Sequence, residues 1–225
     1  MFNDDYGLTQ AVLDGRKTMT RRIIEIDECV RFPIIRFRPL EKWEEKVVNP
    51  NYVFNGHVYA VYNELDLLYH LVKPRYEIGE VVAIAQSYMD VDRFHRKGKN
   101  AAYLEYLDSI LPELKLYPGW GNKMFVKADL MPHHIKITGI KVERLQDISD
   151  EDCLKEGIVK QEVISDESPL IYAYDAFLNG ENGYFASQWF KNPKEAFAAL
   201  IDKISGRGTW NNNLYTFAYE FELID

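Results

Sequence analysis

The chain has 225 residues, 47% hydrophobic and 28% charged, with 35 acids against 27 Lys and Arg for a formal charge of −8. That size is near the limit for one hydrophobic core, and the acidity excludes gripping nucleic acid by bulk electrostatics, since phosphate neutralisation needs a basic surface. No apolar run approaches the roughly 18 residues of a membrane span, and no signal-peptide core or C-x-x-C context for Cys29 and Cys153 occurs, so a cytoplasmic protein without disulfide framework or zinc site is expected.

Asp4 to Asp14 reads as a short helix, with Asp4 or Asp5 as N-cap and Leu8, Ala11 and Val12 at helical spacing. Gly15 suits the left-handed residue that ends it. In the strand that follows, Thr18, Thr20, Arg22 and Ile24 take one side and Met19, Arg21 and Ile23 the other. Lys17, at the turn, has a stem long enough to fold its ammonium over the Thr20 hydroxyl. Such a pair makes a nucleophile without His or metal if the lysine is desolvated enough to lose its proton. The structural alternative is that cations after a helix end complement its dipole and that Thr and Ile are ordinary strand formers.

Residues 23–50 are broken by Pro33, Pro39 and Pro50, with a short strand expected around Ile34–Phe37 and a charged piece from Glu41 to Lys46. Tyr52 to Tyr62 has the form of a hairpin turning at Asn55-Gly56. Leu65 to Leu71 fits either a helix or a strand. Val81 to Gln86 reads as a continuous apolar strand buried on both faces. Asp90 to Gly98 reads as a charged loop, Asn100 to Leu111 as an amphipathic helix ending before Pro112, and Lys123 to Ala128 as a strand. Ile135, Ile137, Ile140, Val142 and Leu145 describe a long strand whose alternation changes phase near Gly139, as at a bulge.

Ser149 N-caps a two-turn helix with three acids in its first turn and a stop at Gly157. Glu156 therefore sits in the last turn, where negative charge is disfavoured. It is either a solvated bystander or a carboxylate kept for chemistry. Residues 160–190 carry seven aromatics, among them Tyr172, Tyr174, Tyr184 and Trp189, for packing, a partner or base stacking. Asn192-Pro193 opens a helix closed by Gly206, and Leu214 to Ile224 is the last strand. The five histidines show no metal-ligand spacing, and no P-loop, G-x-S-x-G or complete G-x-G-x-x-G occurs.

Gly15, Lys17, Thr20 and Arg22 match every fixed position of G-x-K-x-x-T-x-R, in a helix–turn–strand context. This stretch resembles the signature of ASCH domains, small β-barrels similar to the PUA RNA-binding fold. Further similarity lies in Tyr76 to Glu80, Val142 to Ile148, Ser149 to Gly157 and Trp210 to Phe221, about half of the chain, and is greatest to the longer phage and Bacteroides type. The resemblance implies an α+β architecture: one domain over residues 1–225, a PUA-like, mostly antiparallel β-barrel with flanking helices and insertions near 25–72, 90–122 and 160–191. Similarity to the small N(4)-acetylcytidine amidohydrolases of the family places their catalytic Lys, Thr and Glu on Lys17, Thr20 and Glu156.

That similarity implies hydrolysis of an amide on a modified nucleoside, with Arg16, Arg22 and Gln86 as substrate-binding candidates and no cofactor or metal. Many phage-type members carry Glu where Gln86 stands, so a neutral hydrogen-bonding group replaces a second carboxylate here. The alternatives are a non-catalytic module binding RNA or a nucleotide in the same cleft, and an ASCH-type ribonuclease. Oligomeric state is not legible.

Overall fold

A computed structural model describes residues 2–26, 34–41, 57–98, 101–114, 118–165, 168–176 and 189–225. Its main sheet gathers strands from both ends and the middle of the chain: β1 (Met19–Ile23), β5 (Val81–Ala83), β6 (His134–Arg144) and β9 (Tyr215–Leu223). They are antiparallel in the order β1-β9-β6-β5 and curl into a half-barrel, so β1 and β5 are the sheet's edges. Together with the helices this is an α+β protein. The register of β6 on β9 shifts between Ile137 and Gly139, the position where the alternation changes phase.

Pairing divides the central strand into two faces, because directly opposed residues point the same way. Thr20 opposes Tyr219 and Arg22 opposes Phe217, whereas Arg21 opposes Ala218. On the first face Phe217, Tyr219 and Phe221 join Val12, Ile84, Ile135 and Ile137 in the largest core. A three-stranded antiparallel sheet, β2 (Ile34–Pro39), β3 (Tyr59–Asn63) and β4 (Leu68–Val72), adds Tyr59, Val61 and Val72 to that core. β2 and β4 occupy both edges of β3. The other arm of the expected 52–62 hairpin and its Asn55-Gly56 turn lie outside the described residues, as do Glu41 to Lys46 for all but Glu41.

On the second face lie α4 (Asp150–Lys155) and α5 (Pro193–Ser205). With α1 (Leu8–Leu13) and the hairpin of β7 (Val159–Ser165) and β8 (Ser168–Asp175), they enclose Leu8, Leu145, Ile148, Phe197 and Leu200. Cys153 is packed here; burial pushes its thiol up to about 12, so it acts as a small apolar filler. Ser149 accepts the Asp152 N–H at 3.0 Å and Asn192 the Glu195 N–H at 2.8 Å, as their cap positions required. Of the aromatics in 160–190, Tyr174 packs against this core, while Tyr172 and Trp189 are exposed; Tyr184 lies outside the described residues.

Five elements differ from the sequence reading. The first helix begins at Leu8, because Gly7 takes φ 60° and closes a turn back to Asp4. The charged stretch 90–98 is helical, within α2 (Tyr88–Gly98): its charges pair along the helix, Arg93 with Asp90 at 3.1 Å and Arg96 with Asp92 at 2.8 Å, while Tyr88, Val91 and His95 face inward. The next helix, α3 (Ala101–Leu114), runs past Pro112, which falls in its final turn. Val81 to Gln86 yields only a three-residue edge strand with Val81 exposed, and 123–128 is irregular apart from the start of a 3-10 turn at Ala128.

Gly157 ends α4 at φ 104°, a conformation costly for any residue with a Cβ. An added methyl would meet Leu8 and Lys17 only at 3.6 Å, so the penalty is conformational rather than steric. Gly157→Ala is expected to lower stability by about 1–3 kcal/mol, read from the urea unfolding midpoint. No change in midpoint would show that this turn relaxes freely.

Candidate functional site

Two backbone bonds assemble the site. Lys17 N–H donates to Ala11 C=O at 2.8 Å, and Thr18 N–H donates to Lys155 C=O at 2.9 Å, stapling the turn after α1 to the end of α4. Lys17 and Glu156 are thereby brought together, and both are buried. The Lys17 ammonium donates to Glu156 Oε2 at 2.6 Å and to the Glu156 backbone carbonyl at 2.7 Å. One cation thus satisfies both the carboxylate and a terminal carbonyl, which removes the penalty for an acid at a helix C-terminus.

The other Glu156 oxygen accepts from Arg21 Nη1 at 2.9 Å. Arg21 was not among the expected site residues, yet its side chain is only 1% exposed and it faces three carboxylates. Its Nη2 donates to Glu143 and lies 3.4 Å from Asp152 Oδ2. Lys141 closes the cluster, reaching Asp152 at 2.6 Å and Glu143 at 3.1 Å. The signal was present in the alternation: Arg21 of β1 and Lys141 and Glu143 of β6 occupy one face, on either side of the small Ala218 and Thr216 of β9. Asp152 read as a first-turn helix acid and so gave no hint of this role.

Burial pulls the Lys17 amine below its ordinary value, with the charge and hydrogen bond of Glu156 opposing it. For Arg21 burial works the same way, but Glu156 and Glu143 outweigh it and hold the guanidinium charged. Asp152 is pushed up by burial, yet the hydrogen bond and charge of Lys141, with Arg21 and Lys155, leave it below the usual carboxylate range.

The signs in pH follow from linkage. Asp152 contributes stability above its unfolded value of 3.8 that is lost as pH falls through the lowered folded value. Lys17, also lowered in the fold, has the same sign in a higher window: its contribution rises with pH between the lowered value and 10.5, where the unfolded chain binds more protons. Lys141→Met should therefore raise the pH of acid unfolding, followed by circular dichroism. An unchanged acid midpoint would mean that this pair contributes nothing to acid resistance.

Thr20 is half-buried and on the opposite face of β1 from Arg21, but β1 is an edge, and a cavity of about 70 Å³ there is lined by Lys17, Thr20, Arg21, Arg22 and Glu156. The three expected catalytic side chains therefore meet one space. The expected contact between Lys17 and Thr20 is absent among the described residues: the ammonium spends its bonds on Glu156, because a charge-assisted bond outcompetes one to a hydroxyl.

Arg22 lines this cavity and two others beside it, of about 580 and 50 Å³. Arg16 is exposed and bonded to Asp14 at 3.1 Å. Gln86 is buried with its Oε1 lacking a partner among the described residues, but it lines none of these three cavities; its neighbours Ile84 and Ala85 line the smallest. Among the described residues no group of His, Cys, Asp and Glu is arranged to hold a metal ion, and no helix is long and apolar enough to cross a membrane.

Fold and site together define an α+β protein whose half-barrel edge carries a buried lysine–glutamate–arginine cluster. Comparison with protein-family models, with curated proteins and with solved structures gives no match.

Proposed function

We propose that this chain is an ASCH-type protein of PUA-like fold that hydrolyses the amide of an acylated nucleoside of the N(4)-acetylcytidine kind. The observation carrying this reading is that a buried Lys17–Glu156 pair at 2.6 Å and the Thr20 hydroxyl line one small cavity. In the reaction, Lys17 in its neutral form takes the Thr20 proton as the hydroxyl oxygen attacks the acyl carbon. Arg22 stabilises the developing oxyanion. The C–N bond then breaks, and the proton held between Lys17 and Glu156 passes to the leaving amine. Water hydrolyses the Thr20 ester, releasing the acid and restoring the hydroxyl. Burial of Lys17 supports this sequence, because it lowers the cost of the neutral amine.

One observation favours the second reading, a non-catalytic RNA- or nucleotide-binding module. Lys17 is bonded to Glu156 rather than Thr20, and both Glu156 oxygens are already occupied by cations. Incubation of the pure protein with N(4)-acetylcytidine separates the two: release of cytidine and acetate is expected. Absence of turnover, with binding of short RNA, would leave the binding module, and strand scission would identify a ribonuclease.

A further inference from the structure

The larger cavity beside the site, about 580 Å³, is within the range of small-molecule clefts, roughly 300–1,000 Å³. It shares Arg21, Arg22, Ile201 and Ser205 with the small Lys17–Glu156 cavity, so the two adjoin. Its charge is unlike that of the chain as a whole. Among the described residues, Arg22, Lys73 and Arg75 line it against one carboxylate, Glu25, in a protein of net charge −8. A cationic recess in an acidic protein focuses its field on small anions, while the remaining surface repels a long polyanion.

The segment bearing two of these cations is anchored. Arg75 N–H donates to the buried Tyr219 hydroxyl at 2.8 Å, and the Tyr76 ring packs edge-on to Tyr219 at 5.4 Å, fixing it to the sheet's central region. Lys73 has a weak exposed pair with Glu77 at 3.5 Å, whereas the Arg75 guanidinium meets no carboxylate among the described residues and lies only over the Tyr76 ring. An anchored arginine without a carboxylate partner, at the rim of an electropositive cleft, is suited to a phosphate.

We propose that this cleft binds the phosphate monoester of a mononucleotide, with Arg75 and Lys73 as its ligands, so that the preferred substrate class is the nucleotide rather than the free nucleoside. The nucleoside part of this assignment rests on the proposed function; the phosphate part rests on the cleft alone.

Calorimetric titration with cytidine and cytidine 5′-monophosphate tests it without requiring turnover. The monophosphate should bind at least about tenfold more tightly, by a margin that narrows as salt is raised. The Lys73→Ala/Arg75→Ala double variant should bring the two ligands together, while Lys136→Ala, an exposed cation outside the cleft, should keep them apart. Equal affinities in the wild type, or no binding of either ligand, would overturn the phosphate site even if acetylcytidine is hydrolysed. A difference that survives the double variant would overturn the assignment to these residues. A cytidine trinucleotide binding more than tenfold tighter than the monophosphate would replace the monoester by a strand. Conversely, a clear preference for the monophosphate in a protein without hydrolytic activity supports this site and removes only the proposed reaction.

Discussion

Arg21→Ala is expected to lower folding stability by about 3–5 kcal/mol, the largest effect of any single substitution proposed for this chain. The guanidinium side chain is 1% exposed and lies against carboxylates from three places in the fold: Glu156 at the end of α4, Asp152 within it and Glu143 on β6. Removing it leaves Glu156 with Lys17 alone, Glu143 with Lys141 alone and Asp152 with Lys141 and, at 3.9 Å, Lys155, in a space where water replaces the lost partner poorly. Such a loss exceeds what exposed pairs such as Arg36–Asp66 contribute, which is typically below about 1 kcal/mol. Denaturant unfolding of the wild type, Arg21→Ala and Arg21→Lys decides the matter. Lysine should recover only part of the loss, since a single ammonium cannot reproduce the fork that spans Glu156 and Glu143. A loss below about 1 kcal/mol for the alanine variant would mean that the cluster is solvated after all.

Thr20→Val and Lys17→Met are expected to reduce the proposed amide hydrolysis by at least about 10²–10⁴-fold, Thr20→Val with a much smaller effect on folding than Arg21→Ala. Valine keeps the shape of threonine and removes only the oxygen that would attack. Methionine keeps most of the lysine stem but can neither accept nor return a proton. Glu156 in that variant still has Arg21 on its other oxygen, so the carboxylate is not abandoned. Single-turnover kinetics on N(4)-acetylcytidine, with unfolding curves alongside, separate chemistry from folding. Thr20→Val retaining wild-type turnover would remove threonine from the reaction, whatever the fate of Lys17.

Much of the local structure was legible because its causes are local. Ser149 and Asn192 supply oxygens at the positions where helix N–H groups need them, and Gly15, Gly157 and Gly206 sit where the backbone turns to positive φ. Gly139 marked the register shift in β6 by a change in apolar alternation alone. The reading failed where local pattern and tertiary need diverge. Residues 90–98 looked like a loop because their charges hid a helix whose inward face is only Tyr88, Val91 and His95. Val81 to Gln86 looked like a buried strand because apolar composition does not tell an edge from a centre.

By itself, then, the sequence determined the caps at Ser149 and Asn192, the long strands and the turn that presents Lys17 and Thr20, since capping, glycine stereochemistry and alternation act over a few residues. Only the tertiary structure decided which charges meet. It brought Glu156 onto Lys17 and made Arg21 the hub of the cluster, because a strand's free edge and a helix's end were stapled together across most of the chain. The partner of a buried charge is chosen by the packing that excludes water around it, and no stretch of neighbouring residues carries that information.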